Sequence, residues 1–122
     1  MTIDFNANTP IFQQIADGIE EAILSGGFAE GSQIPSITEF STMYTINPAT
    51  ALKGINLLVD NGILYKKRGV GMFVAEGAAE KLRARHREAF YDRYVAAMLQ
   101  EAKRLGLTKE EILQMIERGY EK

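Results

Sequence analysis

Apolar residues recur at three- and four-residue spacing from residue 11 onward, the pattern of an amphipathic helix. Ahead of them, Thr9 is a candidate helix cap, and Pro10 fits the first helical position, where its missing N–H costs nothing. Gly26 and Gly27 follow the last apolar position and end the pattern. We predict a first helix over this stretch, whose buried stripe is Ile11, Phe12, Ile15, Ile19 and Ile23.

Two shorter helices are predicted next. Ser36 and Glu39 have the three-residue spacing of a capping box, so a second helix should start there and run to about Tyr44. Asn47-Pro48 repeats the signal of a cap followed by proline, and Asn61-Gly62 ends the pattern that follows. The third helix should bury the stripe Ala51, Leu52, Ile55, Leu58 and Val59.

The hydrophobic period then changes from that of a helix to that of a strand. The runs 63–66 and 72–74 are compatible with β-strands, and Arg68-Gly69-Val70-Gly71 between them is a glycine-bearing turn. Three helices followed by a hairpin with a basic tip is the element order of a winged helix-turn-helix, in which the third helix enters the major groove of DNA.

From Ala78 the helical pattern returns, and it predicts a helix of roughly 27 residues that ends at Gly106. Thr108 and Glu111 form a second candidate capping box before a last short amphipathic helix. The predicted fold is mainly α with a small β-hairpin: a winged helix-turn-helix domain over residues 1–77, then a helical dimerisation segment over residues 78–122.

Two helices cannot bury both of their apolar stripes alone. Some of this surface can pack on the winged domain, but a second copy of the chain is the simpler partner for the rest. We therefore predict a homodimer whose interface includes six residues of the long helix: Leu82, His86, Phe90, Tyr94, Met98 and Leu105.

The composition is that of a globular protein, with 46% hydrophobic and 25% charged residues in 122. The absence of cysteine favours a reducing cytoplasm, and no apolar run approaches the roughly 20 residues that span a bilayer. The formal charge is -2, and residues 1–77 hold four basic against eight acidic side chains, or -4. That balance is unusual for a DNA-binding domain, so phosphate contacts must be concentrated in a few places.

An enzyme has little support in this sequence. His86 is the only histidine, and it falls on the apolar stripe, where a packed or interface role is the simpler interpretation. The run from Arg68 to Gly71 lacks the third glycine and the strand-to-helix context of a nucleotide site. We predict no catalytic residue, no metal site and no cofactor.

The residue types that suit nucleic acid fall in two places. In the hairpin these are Lys66, Lys67 and Arg68 with Gly69 and Gly71, whose glycines allow a close approach to phosphate. On the third helix, Asn47, Thr50, Lys53 and Asn56 are spaced at three and share a face. Thr38 and Tyr65 are weaker candidates. The alternatives are a solvated hairpin tip, and a helix on which Asn47 is only a cap.

These segments together resemble the GntR family of regulators, and within it the short YtrA-like branch. The resemblance covers residues 10 to 74 in order and at family spacing. It is carried by Pro10-Ile11-Phe12-Gln13-Gln14-Ile15, Ile34-Pro35-Ser36 with Glu39, Ile46-Asn47-Pro48-Ala49-Thr50, residues 58–64 with Asn61-Gly62, and Arg68-Gly69-Val70-Gly71-Met72-Phe73-Val74. The short helical segment at residues 78–122 is similar to the dimerisation segment of that branch.

The resemblance implies roles for individual positions. Ser36 and Thr38 would start the helix that braces the DNA backbone, and the wing would run from Arg68 to Gly71. The recognition-helix positions would be Asn47, Ala49, Thr50 and Lys53. Thr38 and Pro48 stand where relatives often carry arginine, and both changes remove phosphate-binding charge.

The function expected from these observations is a cytoplasmic regulator, most simply a repressor, that binds a palindromic operator in double-stranded DNA as a homodimer. Any small-molecule effector would have to bind at the dimer interface or between the helical dimerisation segment and the winged domain. A rival interpretation is a protein-interaction module that kept the fold but lost useful DNA affinity. An enzyme is a distant third.

Overall fold

A computed structural model describes all residues, 1–122, and confirms the predicted order of elements. Two compact units are present, Met1–Ala84 and Arg85–Lys122. Six helices, one π-helical turn and two strands follow each other along the chain: α1 Ile11–Leu24, α2 Ile37–Tyr44, α3 Pro48–Asp60, β1 Leu64–Lys67, β2 Gly71–Val74, α4 Ala78–Phe90, the π-helical turn Tyr91–Val95, α5 Ala96–Arg104 and α6 Lys109–Glu121.

Both predicted capping boxes are present. The N–H of Glu39 donates to Ser36 Oγ at 3.1 Å, and the N–H of Ser36 donates to Glu39 Oε1 at 3.0 Å. Hydrogen bonding to the Glu39 carboxylate by the backbone N–H of Ser36, and then by the Ser36 side chain, stabilises its ionised form and holds the pKa of Glu39 below its usual value. Thr108 and Glu111 repeat the arrangement at the start of α6. Because a capping box needs only a three-residue spacing, the sequence alone could reveal both.

The predicted cap at Thr9 is wrong. Pro10 is itself the N-cap residue of α1, with a non-helical ψ of 149°, and no side chain caps this helix end. Gln14 instead folds back across the entry, and its Nε2 donates to the carbonyl oxygens of Thr9 at 2.9 Å and Asp4 at 2.8 Å. A glutamine one turn inside the helix thus fastens the N-terminal segment to α1.

The core of the N-terminal unit lies between α1, α2 and α3 and extends under the hairpin and the first turns of α4. Ala78 and Leu82 belong to it, and Leu82 is 0% exposed. Leu82 therefore does not belong to the predicted dimer surface, because it faces the core of its own unit. The compact unit also continues past the predicted boundary at residue 77, for the same reason.

The helices α1 and α3 approach each other closely at Gly54. A Cβ atom at this position would lie 2.6 Å from the carbonyl oxygen of Phe12 and 3.2 Å from Cβ of Ile15. The first of these contacts is with backbone, which cannot rotate away. Gly54 thus sets the distance between the two helices, a role that the spacing of apolar residues does not reveal.

Gly54→Ala should lower the free energy of unfolding by about 2 kcal/mol, because an added methyl group forces the helices apart. In a unit of this size the melting temperature should fall by roughly 8–16 °C in a thermal scan. Gly119→Ala is the matched control: it lies in α6 with open space around its Cβ position, and alanine there should be stabilising. An unchanged melting temperature for Gly54→Ala would contradict the close crossing.

The hairpin pairs Leu64 with Val74 and Lys67 with Gly71, as antiparallel strands. A third segment joins β2 on its other edge. The N–H of Gly31 donates to the carbonyl oxygen of Val74 at 2.8 Å, and the N–H of Ile34 donates to that of Met72 at 3.0 Å. The segment before α2 therefore supports the hairpin, although its sequence shows no strand pattern.

The unit Arg85–Lys122 buries few apolar side chains of its own. Ala102 of α5 and Ile112 of α6 are buried, whereas most of its large apolar side chains are exposed. The predicted helix of roughly 27 residues from Ala78 is confirmed: α4 and α5 form one continuous helical run that ends at Arg104, with the π-helical turn Tyr91–Val95 between them. The N–H of Ala96 donates to the carbonyl oxygen of Tyr91, five residues back.

None of the helices has both the length and the apolar character that crossing a membrane requires.

Candidate nucleic-acid interface

The helix α3 is held by one face and exposes the other. Ala51, Gly54, Ile55 and Leu58 are buried against the core. Of the residues predicted to meet DNA, Ala49 and Lys53 are exposed and Thr50 is half-buried. The buried stripe thus orients α3 so that these side chains are directed away from the core.

Two predicted DNA contacts also have a local structural role. Asn47 is the N-cap of α3, and its Oδ1 accepts the N–H of Ala49 at 2.8 Å. Ser36 caps α2 in the same way. Both residues are exposed, as is Thr38 in the first turn of α2. The capping interpretation of Asn47 is therefore correct, and it leaves the side-chain NH₂ donors of this residue available.

The ammonium group of Lys53 lies over the ring of Phe12, with Nζ 4.1 Å from the ring centroid. Such a cation–π contact restrains a side chain that would otherwise sample many rotamers. The hydrophobic pattern predicts Phe12 in the buried stripe of α1, but the structure shows it only half-buried. Its contact with Lys53 could not be foreseen, because the two residues are distant in sequence.

The hairpin has a second lysine seated on an aromatic ring. Lys67 Nζ lies 4.6 Å from the centroid of the Phe73 ring, and that ring stacks on Tyr65 at 5.7 Å. Lys66 and Arg68 are exposed beside it, and Gly69 has a φ of 78° at the tip. The hairpin therefore presents its three cations to solvent around a turn that needs glycine.

Gln33 holds the hairpin loop from the neighbouring segment. Its Nε2 donates to the carbonyl oxygen of Val70 at 2.9 Å, across 37 residues of sequence. The same amide occupies the space that a Cβ atom at Gly71 would need, and Gly71 has a φ of 146°. The sequence does not reveal the role of Gln33, since no local pattern marks this residue.

Gly71→Ala should cost about 1–3 kcal/mol of stability, because it combines an unfavourable φ with a clash against Gln33. We also expect weaker binding to DNA, since the loop that carries Arg68 must shift. Thermal unfolding and a fluorescence binding assay test the two effects. The double variant with Gln33→Ala should lose less stability than the sum of the two single variants, because the clash is gone and the hydrogen bond from Gln33 to Val70 is lost only once. Strictly additive losses would contradict the contact between Gln33 and Gly71.

The other cations of the N-terminal unit are already engaged. Lys81 Nζ donates to the carbonyl oxygen of Asn61 at 2.7 Å, at the end of α3, and Arg83 pairs with Glu80 at 3.1 Å. The cations presented to solvent on α3 and the hairpin are Lys53, Lys66, Lys67 and Arg68. An acidic unit thus concentrates its basic groups on the two elements that a winged helix-turn-helix uses for DNA.

The comparison with protein families matches this geometry. Residues 11–74, from the start of α1 to the end of β2, match the family described as "Bacterial regulatory proteins, gntR family". The chain belongs to the GntR family. Two relatives from Bacillus subtilis (strain 168) are similar to this GntR chain. The "Uncharacterized HTH-type transcriptional regulator YhcF" is 32% identical, over 95% of this chain and 94% of that protein. The "HTH-type transcriptional repressor YtrA" is 35% identical, over 66% of this chain and 62% of that protein.

Solved structures of similar proteins support the same family assignment. A "Putative Transcriptional Regulator of GntR Family" from Bacteroides thetaiotaomicron has a TM-score of 0.73 and 32% identity, covering 91% of this chain and 96% of that one. The DNA-binding domain of AraR "in complex with operator ORX1" has a TM-score of 0.56 and 27% identity, covering 62% of this chain and 99% of that one.

This GntR-family protein is therefore a DNA-binding transcriptional regulator and not an enzyme. The resemblance drawn from the sequence is confirmed, including the YtrA relationship. The individual residues assigned to DNA contact and to the dimer surface remain predictions.

Proposed function

We propose that this GntR regulator represses transcription in the cytoplasm by binding a palindromic operator as a homodimer. The third helix of each protomer would enter one major groove, with the wing on the adjacent backbone. A two-fold symmetric protein matches two half-sites about one helical turn, or a small multiple of it, apart.

The observation that carries the dimer is the uncovered apolar surface of the unit Arg85–Lys122. Phe90 is 55% exposed, Tyr94 60% and Leu105 58%. Neighbouring exposed apolar side chains, such as the Phe90 and Tyr94 rings 5.4 Å apart, mark an interaction site, and a unit with so few buried side chains is poorly stabilised alone. A second copy of the same unit supplies a surface of matching chemistry.

His86 and Met98 are exposed on the same unit and complete this proposed dimer surface. Together, the proposed dimer surface consists of His86, Phe90, Tyr94, Met98 and Leu105. Leu82 is left out because it is buried in the other unit.

The proposed DNA contacts are the exposed or half-exposed residues of three elements. In α2 and its cap these are Ser36 and Thr38, and in α3 and its cap Asn47, Ala49, Thr50 and Lys53. In the wing they are Lys66, Lys67, Arg68, Gly69 and Gly71. Their small number of charges predicts a modest affinity per protomer, so that dimerisation is needed for useful binding.

Selection of bound fragments from genomic DNA tests the proposal and yields the operator in one experiment. We expect recovered fragments to share an inverted repeat, and sedimentation to show one dimer per site. The affinity should fall steeply with salt, because phosphate contacts release counterions. A salt slope near zero with no enriched fragment would instead favour the protein-interaction module.

A further inference from the structure

The outward face of α3 carries little charge in its first two turns. Lys53 is the only basic residue of this helix, and its ammonium group lies over Phe12 of α1. The neighbouring exposed positions are Pro48, Ala49 and Leu52, of which Leu52 is 40% exposed. We call these three residues the apolar patch of α3.

Leu52 is not part of the core that orients the helix. The sequence pattern had placed it on the buried stripe with Val59, but Leu57 and Val59 pack against the core whereas Leu52 is exposed. A single exposed leucine is ordinary on a protein surface. Here, however, the leucine adjoins two other apolar residues at the N-terminal end of the recognition helix, where helix-turn-helix proteins contact base edges.

We propose that Leu52 and Ala49 contact the 5-methyl groups of thymines, so that each operator half-site has A·T pairs beneath the first turns of α3. Thymine is the only base that presents a methyl group in the major groove. This inference rests on the proposed function, since it assigns what the recognition helix reads.

Asn56 supports the same base composition. It is exposed one turn beyond Leu52 on the outward face of α3. A side-chain amide pairs with N6 and N7 of adenine, the partner of thymine. The apolar patch and Asn56 thus match the two bases of an A·T pair, whereas guanine is best bound by arginine or lysine, which this surface lacks apart from Lys53.

Replacing thymine by uracil in the selected operator tests the contact, because uracil keeps the base pairing and loses only the methyl group. Each thymine is changed to deoxyuridine in turn, symmetrically in both half-sites. At one or two positions per half-site we expect the affinity to fall about fourfold per half-site, the equivalent of one buried methyl group, or about fifteenfold for the dimer.

Leu52→Ala identifies the residue that makes the contact. It should weaken binding to the thymine operator. At one position, the operators with thymine and with uracil should then bind with equal affinity, while the position read by Ala49 should still favour thymine. Leucine and alanine both favour helix, so α3 should remain folded. Leu52→Met keeps an apolar side chain of similar size and should retain the difference.

Leu113→Ala is the matched control, since Leu113 is an exposed leucine of α6. The ratio of its affinities for the thymine and the uracil operator should equal that of the unaltered protein, even if its overall affinity changes. The inference is overturned if no thymine is sensitive, or if Leu52→Ala leaves every ratio unchanged, although the protein binds its operator specifically. If the selection enriches no sequence, the proposed function has failed, and the inference fails with it.

Discussion

The double variant Phe90→Asp, Tyr94→Asp should be a monomer and should bind its operator about a hundred- to ten-thousandfold more weakly than the unaltered protein. The two rings lie 5.4 Å apart at the end of α4 and in the π-helical turn, and both are exposed in the protomer. In the proposed dimer they are covered, and four carboxylates would then have to be buried without partners. Sedimentation and operator binding measure the two effects.

The loss of affinity follows from effective concentration. In a dimer, binding of one winged unit holds the second near its half-site, so the second binding event is intramolecular. A monomer loses this gain although every DNA contact is intact. Binding to a single isolated half-site should therefore remain nearly unchanged.

Phe5→Asp is the control for adding charge at an exposed ring, since Phe5 is 63% exposed in the N-terminal unit. It should remain a dimer. If the double variant also sediments as a dimer, then Phe90 and Tyr94 are not at the interface, and the exposed apolar side chains of the unit Arg85–Lys122 have another role.

The wing variant Lys66→Ala, Lys67→Ala, Arg68→Ala should weaken binding to every DNA sequence. A dimer would lose six cations, so the slope of log affinity against log salt should become shallower by about five units. Six phosphate contacts correspond to about three orders of magnitude in affinity between 50 and 200 mM salt, so we expect a loss of about a hundredfold or more at the lower salt. Sequence preference should persist, because phosphate contacts carry no base information.

The melting temperature of the wing variant should change by only a few degrees, since all three side chains are exposed and the contact of Lys67 with the Phe73 ring contributes about 0.5–1 kcal/mol at an exposed site. Lys109→Ala, Arg118→Ala, Lys122→Ala in and after α6 removes the same charge from exposed positions outside the wing. That control should bind nearly as well as the unaltered protein. An equal loss in both variants would show that net charge matters and that the wing makes no specific contact.

The elements of the fold were largely predictable because their signals are local. Ser36 with Glu39 and Thr108 with Glu111 start helices through hydrogen bonds to their own backbone, and the structure has both. The Gly69 turn likewise needs a glycine whatever surrounds it. The exception was Thr9, where a longer side chain, Gln14, reached the helix entry.

The candidate site was predictable in its location but not in its arrangement. The sequence placed cations on α3 and in the wing, and both elements expose them. It did not reveal that Lys53 rests on Phe12 or that Lys67 rests on Phe73. Those contacts depend on how α1 crosses α3 and on the register of the hairpin, which no spacing within a single element describes.

By itself the sequence determined the order of the helices and strands, the family and the two surfaces that hold the candidate functional residues. Only the tertiary structure decided that Gly54 sets the helix crossing, that Gln33 holds the wing loop, and that Leu82 belongs to the core while Leu52 does not. The reason is physical: caps and hydrophobic periods act within a few residues, whereas packing and burial depend on which distant parts of the chain meet.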